Sequence, residues 1–422
     1  MSLREFIGIL DDEGQLLRVR DMVDPYLEMA QILADEQDKA VMFEKVKDSD
    51  YRVVGGVCSS RERFSRSLGV EKESLLFKIN EAIENPVKPE IKKSGACQEV
   101  VEKDVDLRSL PILSFTSQDM GPYITSGVYM ACDRDYGFNM SFHRATPISS
   151  NRLVARVCHR DLHSYLKRAG GVLDVAICIG LDPSFLLAAS VSLGVEVDEL
   201  GIAGSMKPAE MVKCQTNDLL VPADAEFVLE GRFTGEVGGE GPFPDVTRTL
   251  DVVRQEPVIE IDCITHRKDA IYHALLPASK EHELLMGMPR EPVIFNRVNR
   301  VCRCRNVLLS HGGCSWLHGI IQIDKREADD GRKALEAAFE AHRSMKHVVV
   351  VDCDVDIYSP DDVEWAVATR FQAGKDLIMK EEKGSSLDPS ASEDGVTSKV
   401  GLDATIPSDK PRECFSRITL GK

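Results

Sequence analysis

The sequence predicts a mixed α/β fold in three consecutive regions, of which the middle one is rich in β-strands. Residues 1–105 alternate amphipathic helical patterns with short β-like runs. Across 106–300, many short strand-like runs are separated by Gly, Pro and Asp, a spacing typical of a β-barrel or sandwich. Residues 301–375 then follow the order strand, helix, strand, helix, which indicates a parallel sheet. We therefore predict an N-terminal α/β region, a central β-rich domain, and a C-terminal α/β domain with a tail at 301–422.

The N-terminal region contains residues suited to start helices. Ser2 offers an N-cap hydroxyl, and Pro25 belongs to a residue type favoured in the first turn of a helix. Periodic apolar residues follow both positions. The predicted elements are helices over 2–9 and from Pro25, strands at 41–43 and 52–57, helices near 60–68 and 73–84, and a linker rich in Pro and Lys at 86–95.

The central and C-terminal regions continue with short elements. The polar residues 133–137 predict a hairpin turn, and Ser359 before Pro360 has the chemistry of a helix N-cap. Residues 380–397, dense in Lys, Glu, Ser, Asp and Gly, predict a mobile loop. The other predicted elements are strands at 126–132, 152–157, 172–180, 227–230, 258–265 and 317–323, a helix over 327–343 and a strand at His347–Asp352.

Composition and charge narrow the class of protein. The 52 Lys and Arg residues against 69 Asp and Glu residues give a net charge of −17, which argues against a nucleic-acid or anionic-membrane surface. No run of about 18 apolar residues exists, so we expect no membrane span, and the N-terminus predicts no signal peptide. The 12 cysteines lack the paired spacing of a metal site and suit reduced thiols, hence a cytoplasmic protein.

Two carboxylates, Glu240 and Asp245, stand five residues apart on a segment that Pro242 and Pro244 stiffen. Prolines disfavour a helix or a regular strand, so we predict a rigid loop that presents both acids to a pocket. Burial can keep one acid protonated while a cation holds the other ionised, and general acid/base chemistry near neutral pH needs that division. The alternative is a solvated acidic turn.

Three further segments carry ligand-type side chains. Asn139 opens the run that ends at Arg144, His159 follows a predicted strand, and Glu199 lies in a third segment. Amide, imidazole and carboxylate ligands together suit a hard divalent cation. Taken singly, His159 fits a buried hydrogen-bonded histidine equally well, and Glu199 fits a surface helix acid.

Several sequence runs, in order, resemble the UbiD family of reversible decarboxylases that use prenylated FMN. The resemblance extends from about residue 110 to the tail. The runs that carry it are NMSFHR (139–144), RVCHRD (156–161), EMVKCQTNDLLVPADAEFVLEG (210–231), EGPFPD (240–245), THRKDAIYHALLP (265–277), VVVDCDVDIYSPDDVEWAVATR (349–370) and SKVGLDAT (398–405).

The resemblance implies a UbiD-like fold, with a central split-barrel flavin-binding domain and a C-terminal domain for oligomerisation. It implies that Asn139, His159 and Glu199 hold a manganese-type ion, or magnesium, against the cofactor phosphate. It also implies a catalytic network of Arg144, Glu240 and Asp245, and a potassium ion near Ala189 and Ser190. The positions that match cofactor-binding segments are Phe142, His143, Arg144, Arg156, Val157, Cys158, Arg160, Asp161, Ala189 and Ser190.

Decarboxylation chemistry agrees with these roles. Loss of CO₂ leaves carbanion character, so the site needs an electron sink, which a modified flavin supplies, and a proton donor. We expect Glu240 to stay ionised beside Arg144, because an arginine fork pairs with a carboxylate. We expect Asp245, with Phe243 nearby, to keep its proton and act as the donor.

The chain length is similar to the compact archaeal branch of the family. The resemblance therefore implies conversion of trans-anhydromevalonate 5-phosphate to isopentenyl phosphate, with a flavin prenyltransferase as cofactor supplier and a homo-oligomer, dimer or hexamer. The alternatives are a decarboxylase of aromatic acids of the 4-hydroxybenzoate type, a non-catalytic flavin-binding protein, and an ordinary FMN oxidoreductase, although no GxGxxG motif supports the last. The candidate cations for a substrate phosphate are His143, Lys207 and His282.

Three other features remain open at the level of sequence. The acids from Asp352 to Asp356 resemble the start of a calcium loop, but Ile357 stands where that loop requires Gly, so strand-end acids are the better interpretation. Lys399 fits either a contact with the cofactor phosphate or a surface lysine. Glu281 and Glu283 fit either the mouth of the pocket or a solvated helix start.

Overall fold

The computed structural model describes residues 1–418, which form two compact units, one spanning Met1–Leu285 and the other beginning at Met286. Helices and several sheets alternate along the chain, so the predicted α/β class is confirmed. The division into three regions at residues 105 and 300 stays a prediction. No helix within residues 1–418 combines the length and apolar character needed to cross a membrane.

The helices of the described chain are mostly short. α1 begins with the predicted cap, because the Ser2 side chain accepts a hydrogen bond from the Glu5 N–H and the Glu5 side chain accepts one in return. The helices are α1 (Leu3–Asp12), α2 (Glu28–Asp35), α3 (Arg61–Leu68), α4 (Leu75–Glu84), α5 (Asp161–Arg168), α6 (Pro183–Ser190), α7 (Glu199–Met206), α8 (Lys280–Gly287), α9 (Glu291–Val298), α10 (Asp330–Ala341), α11 (Pro360–Arg370) and α12 (Ala373–Asp376).

The strands of the described chain vary widely in length, and β13 and β16 are the long ones. They are β1 (Leu16–Val23), β2 (Ala40–Val46), β3 (Arg52–Gly55), β4 (Glu90–Ile91), β5 (Val100–Glu102), β6 (Val128–Asp133), β7 (Gly137–Phe142), β8 (Ala145–Pro147), β9 (Arg152–Ala155), β10 (Val172–Ile179), β11 (Glu210–Lys213), β12 (Leu220–Pro222), β13 (Phe227–Glu240), β14 (Phe243–Pro244), β15 (Leu250–Asp251), β16 (Arg254–His266), β17 (Ile271–His273), β18 (Cys304–Leu309), β19 (His318–Ile323), β20 (His347–Asp352), β21 (Leu377–Lys383) and β22 (Val396–Asp403).

An antiparallel eight-stranded sheet dominates the first unit. Its order is β7-β6-β10-β13-β16-β9-β8, with β5 paired to β16. The turn predicted at 133–137 is confirmed, because Asp133 pairs with Gly137 across β6 and β7. The strand predicted at 227–230 is much longer, because β13 continues to pair with β16 through two register shifts as far as Glu240. The prediction of a loop at Glu240 is therefore wrong, and Glu240 ends a strand.

The first unit contains smaller sheets around this large one. β1, β2, β3 and β17 form a four-stranded sheet, and one continuous core joins Phe43 from that sheet with Tyr129, Phe227 and Ile259 from the large sheet. The predicted linker 86–95 is not a free connection, because β4 pairs with β11. α2 starts later than predicted, since Tyr26 bridges to Ser114 and holds the chain after Pro25 out of the helix.

The second unit contains a five-stranded mixed sheet in the order β18-β19-β20-β22-β21. β19 and β20 are parallel as predicted, and β22, which was not predicted, also runs parallel to β20. β18 and β21 pair antiparallel at the two edges. The prediction of a loop over 380–397 is wrong at both ends, because β21 and β22 occupy them. The connection between them is tied down, since Asp388 accepts hydrogen bonds from Thr397 (2.7 Å) and Lys346 (3.2 Å).

Candidate active site

The end of the long β13–β16 hairpin gathers four charged side chains. Glu240, the last residue of β13, pairs in register with Arg254, the first residue of β16. Between them, β14 and β15 form a second, two-residue hairpin in which Phe243 pairs with Asp251. Asp245 follows β14 and closes a turn, because its N–H donates to Thr249 O (2.9 Å). Strand register therefore places these acids at one edge of the sheet.

Arg144 approaches this edge from the segment between β7 and β8 and binds Glu240 through two hydrogen bonds. Its Nε donates to Glu240 Oε1 at 2.7 Å, and its Nη2 donates to Oε2 at 3.0 Å. The Glu240 side chain is 0% exposed and that of Arg144 is 12% exposed. Paired forks of this kind are strong because both charges and both directions match. The structure thus brings together the pair expected from sequence.

Two more carboxylates surround the same guanidinium. Arg144 Nη2 donates to Asp251 Oδ2 at 3.0 Å, whereas Nη1 lies 3.8 Å from Asp245 Oδ2, beyond hydrogen-bond distance. Asp251 did not emerge from the sequence. The sequence does contain one indication of its position. Phe243, Pro244 and Leu250 are spaced around a short turn, and a hairpin at this turn pairs Asp251 with Phe243.

The ionisation of this cluster follows from its contacts. Burial alone would lower the pKa of Arg144, but the hydrogen bonds of Glu240 and the charges of Glu240, Asp245 and Asp251 raise it above its usual value. Burial would raise the pKa of Asp251, but the hydrogen bond from Arg254 and the charge of Arg144 hold it below its usual value. Arg144 and Asp251 are therefore both charged at neutral pH.

Aromatic rings and one histidine enclose the cluster. The Arg144 guanidinium lies 4.9 Å from the centre of the Phe243 ring, which lies 4.2 Å from that of Tyr123. Ala278 N–H donates to His282 Nδ1 at 3.2 Å, which makes Nδ1 the acceptor nitrogen. Burial lowers the pKa of His282, while nearby Asp245 raises it and Arg144 lowers it. His282 is therefore a neutral neighbour of the acids.

A second buried cluster lies on β7, against which α5, α6 and α7 pack. Asn139 on β7 and Glu199 at the start of α7 are both 2% exposed. Asn139 Nδ2 donates to Glu199 Oε1 at 3.5 Å, and Met140 N–H donates to Oε2 at 3.3 Å. Burial raises the pKa of Glu199 to about 8. The alternative of a surface helix acid is thus wrong for Glu199.

The donor set around Glu199 fits a cation. The charged side chains with the strongest effect on Glu199 are two acids, Asp161 and Asp198, so the buried carboxylate gains from a nearby positive charge. His159 is exposed, with its ring 4.3 Å from that of His163, so the alternative of a buried histidine is wrong. Asn139 and Glu199 meet in the structure; coordination by the three predicted ligands stays a prediction.

The segments expected to bind the flavin also lie next to β7. His143 is fixed between Ser141 Oγ and Arg156 O, both at 3.0 Å, and burial lowers its pKa to about 4. Glu256, which the sequence did not reveal, binds the Arg156 guanidinium and accepts from Val157 N–H at 3.1 Å.

The remaining predicted cofactor residues flank β7 on several elements. Phe142 ends β7, Asp161 begins α5, and Ala189 and Ser190 end α6. Cys158 and Arg160 are exposed in the segment before α5. Their arrangement is compatible with one ligand lying along β7, and their contact with a flavin stays a prediction.

Several other charged residues have structural partners. Lys207 donates to Asp182 (2.9 Å) and Ser67 (2.7 Å), and the neutral His143 offers no charge, so neither is a good phosphate cation. Lys399 is 1% exposed and donates to Arg343 O at 2.6 Å, which rules out a surface lysine.

The acids at the start of α8 are buried rather than solvated. Glu281 accepts from Gly56 N–H (3.1 Å) and Cys58 N–H (2.7 Å), and Glu283 accepts from Arg248 at 3.0 Å. In the second unit, Asp352 ends β20 and accepts from Ile406 N–H at 2.6 Å, as a strand-end acid.

Comparison with known proteins identifies the family. Three domain descriptions of 3-octaprenyl-4-hydroxybenzoate carboxy-lyase match the chain: the N-terminal domain at 7–83, the Rift-related domain at 89–280 and the C-terminal domain at 283–404. The anhydromevalonate phosphate decarboxylase of Methanothermobacter thermautotrophicus is 44% identical over 426 residues, which cover 99% of each chain. That of Methanocaldococcus jannaschii is 42% identical, over 95% of this chain and 96% of its own.

Similar solved structures support the same family. The UbiD-class enzyme HmfF from Pelotomaculum thermopropionicum, in complex with FMN, matches with a TM-score of 0.96 and 40% identity, over 100% of this chain and 98% of its own. An evolved dimeric form of that enzyme, in complex with prFMN, matches with a TM-score of 0.92 and 37% identity, over 100% and 97% of the two chains. The chain belongs to the UbiD family and is a decarboxylase of that family.

The raised pKa of Glu199 predicts how pH affects the metal-free protein. The folded chain holds this proton more tightly than the unfolded chain, whose pKa is near 4.5. The stability that the protonated carboxyl contributes is therefore complete below about pH 4.5 and is lost as the pH rises through about 8. With a chelator present, Glu199→Gln should match the wild type near pH 4.5 and exceed it at pH 8. Each tenfold difference in proton affinity between the folded and unfolded chains is worth about 1.4 kcal/mol, so the gain should be of that order or larger.

Thermal and urea unfolding at the two pH values measure this difference. Glu196→Gln, an identical change at an exposed position three residues earlier, is the matched control and should show no such pH dependence. A Glu199→Gln protein less stable than the wild type at pH 8 would contradict the assignment.

Proposed function

We propose that this chain converts trans-anhydromevalonate 5-phosphate to isopentenyl phosphate and CO₂ with the help of prenylated FMN. The near full-length similarity to archaeal decarboxylases of that name supports the substrate. The observation in the site that supports the proposal most is the arrangement around Arg144. The buried Glu240 binds its guanidinium, and Asp245 lies 3.8 Å from it. A protein that only binds flavin has no need of this arrangement.

The cofactor and metal are part of the proposal. When bound, prenylated FMN supplies the electron sink for the carbanion character that develops as CO₂ leaves. Phe142, His143 and the segment from Arg156 to Asp161 would hold the flavin, with Ala189 and Ser190 near a potassium ion. Asn139, His159 and Glu199 would hold a manganese or magnesium ion against its phosphate. Support comes from the convergence of these segments on β7 and from the prFMN complex of the relative.

Side chains of this protein orient the substrate and supply the proton. Arg144 binds the buried Glu240 through two hydrogen bonds, and its guanidinium can orient the carboxylate of the substrate. Asp245 is 18% exposed and its Oδ1 accepts from Val246 N–H at 2.6 Å, so its carboxyl group is fixed at the accessible side of the cluster. We infer that Asp245 delivers the proton to the carbon that CO₂ leaves. The Phe243 and Tyr123 rings pack against each other beside Arg144.

We further propose a cytoplasmic homo-oligomer that receives its cofactor from a flavin prenyltransferase. The twelve cysteines, all free thiols in the described chain, suit a reducing compartment. The dimeric form of the relative supports oligomerisation without fixing the number of subunits.

Co-expression with a flavin prenyltransferase tests the proposed activity. We expect absorbance and mass spectra to show bound prenylated FMN, and the holoenzyme to release CO₂ from trans-anhydromevalonate 5-phosphate but not from 4-hydroxybenzoate. Preferential turnover of 4-hydroxybenzoate would assign the chain to the aromatic-acid branch. Bound flavin without turnover of either acid would favour the non-catalytic alternative.

Two isosteric substitutions test the proton donor. Asp245→Asn cannot donate a carboxylic proton, so it should retain fold and cofactor and lose about 10²–10⁴-fold in turnover. Glu240→Gln removes the fork partner of Arg144 and should act through misplacement of the guanidinium, with more residual exchange of the substrate hydrogen with solvent. CO₂ release and deuterium incorporation in D₂O distinguish the two effects. Near wild-type turnover in Asp245→Asn, with an inactive Glu240→Gln, would make Glu240 the donor.

A further inference from the structure

Asp251 is the carboxylate of the cluster that the proposed mechanism leaves without a role. It lies closer to Arg144 than the proposed donor does, at 3.0 Å from Nη2 against 3.8 Å between Nη1 and Asp245. Its side chain is 11% exposed, so it is part of the site and not of the solvated rim. A buried acid next to a catalytic arginine affects every ionisation in the cluster.

Three contacts fix Asp251 in place. Oδ2 accepts from Arg144 Nη2 at 3.0 Å and lies 2.5 Å from Arg254 Nη1, while Oδ1 accepts from Val252 N–H at 2.9 Å. Arg254 is itself held, because its Nη1 also donates to Val252 O at 3.2 Å. The carboxylate therefore bridges two guanidinium groups and cannot turn away without losing charge-assisted hydrogen bonds.

This bridge determines which donors of Arg144 remain for Asp245. Glu240 binds the edge formed by Nε and Nη2, and Asp251 binds Nη2 from the other side. The charges of these two acids balance Arg144 and Arg254. Asp245 thus faces Nη1, the terminal nitrogen that neither of these acids binds, from a distance of 3.8 Å.

We propose that Asp251 is a positioning residue that holds the Arg144 guanidinium through Nη2, keeps Nη1 beyond hydrogen-bond distance of Asp245, and thereby leaves the Asp245 carboxyl group free to face the substrate. The inference rests on the proposed role of Asp245 as donor. Without the charge of Asp251, Arg144 would retain Glu240 as its one close counter-ion, and Asp245 would be the nearest acid able to replace the lost contact. A hydrogen-bonded Asp245 would ionise more readily and donate less well.

The groups that face the two aspartates define the expected pH dependence. Arg144 and His282 face Asp245, and Arg144 and Arg254 face Asp251. His282 stays neutral, so the change on removing Asp251 comes from the movement of Arg144 and from the loss of the Asp251 charge itself, and both make a nearby carboxyl group more acidic. A donor must be protonated to act, so turnover falls as the pH rises through its titration. A more acidic donor moves that fall to lower pH.

The experiment compares Asp251→Asn with the wild-type holoenzyme over a range of pH. We expect the basic limb of the kcat profile to move to lower pH by about one pH unit or more, so that turnover falls further below that of the wild type at the basic end than at the acidic end. Asp251→Glu, which keeps the charge, should leave the limb closer to its wild-type position. Asp262→Asn is the matched control, because Asp262 pairs with Arg232 on the sheet surface outside the cluster.

A crystal structure of Asp251→Asn supplies a readout that needs no turnover. We expect Arg144 Nη1 and Asp245 to move from 3.8 Å to hydrogen-bond distance. A uniform loss of turnover with an unshifted limb, or an Asp245 that stays away from Arg144, would overturn the proposal. If the wild-type holoenzyme released no CO₂ from trans-anhydromevalonate 5-phosphate, the proposed substrate would fail, while the distance would still test the role of Asp251.

Discussion

The pairing of Arg144 with a fully buried Glu240 is the interaction on which the site depends. A buried carboxylate is costly unless a cation and hydrogen bonds compensate it, and the two bonds of the Arg144 fork do both. The pair also joins the segment after β7 to the end of β13, two strands that are not neighbours in the sheet. Its geometry therefore fixes the position of the short β14–β15 hairpin that carries Asp245 and Asp251.

Two of the buried charged clusters in the first unit differ in how their charges are compensated. Around Arg144, the carboxylates of Glu240 and Asp251 compensate the charges of Arg144 and Arg254, and Asp245 lies 3.8 Å from Arg144. Around Glu199, burial raises the pKa of the carboxyl group to about 8, and the strongest charged neighbours, two acids, act in the same direction. The first centre suits proton transfer and the second suits a metal ion, as acid/base and ligand chemistry require.

The sequence alone identified those residues of the two clusters that match the family's motifs. Arg144 and Glu240 meet as expected, and Asn139 meets Glu199, although sixty residues separate them along the chain. The fold class and several elements also followed from periodicity, such as β20 with its apolar run. Local patterns of this kind are set by neighbouring residues and therefore leave a trace in the sequence.

The features that sequence missed depend on pairing over distance. Asp251 joins the site because of the register of a two-residue hairpin, which residue preferences do not specify. The charged stretch 380–397 was predicted as a loop, yet β21 and β22 form because each finds a partner strand at the sheet edge. Lys207 has the charge of a phosphate ligand, but only the tertiary fold shows that Asp182 already binds it.

The proposed mechanism requires a proton on Asp245 and ionised carboxylates at Glu240 and Asp251 around Arg144. Neutron diffraction from deuterium-exchanged crystals grown near neutral pH observes these protons directly. We expect a deuteron on the Asp245 carboxyl group, none on Glu240 or Asp251, and a fully deuterated Arg144 guanidinium. A deuteron on Glu240, or an ionised Asp245 hydrogen-bonded to Arg144, would contradict it.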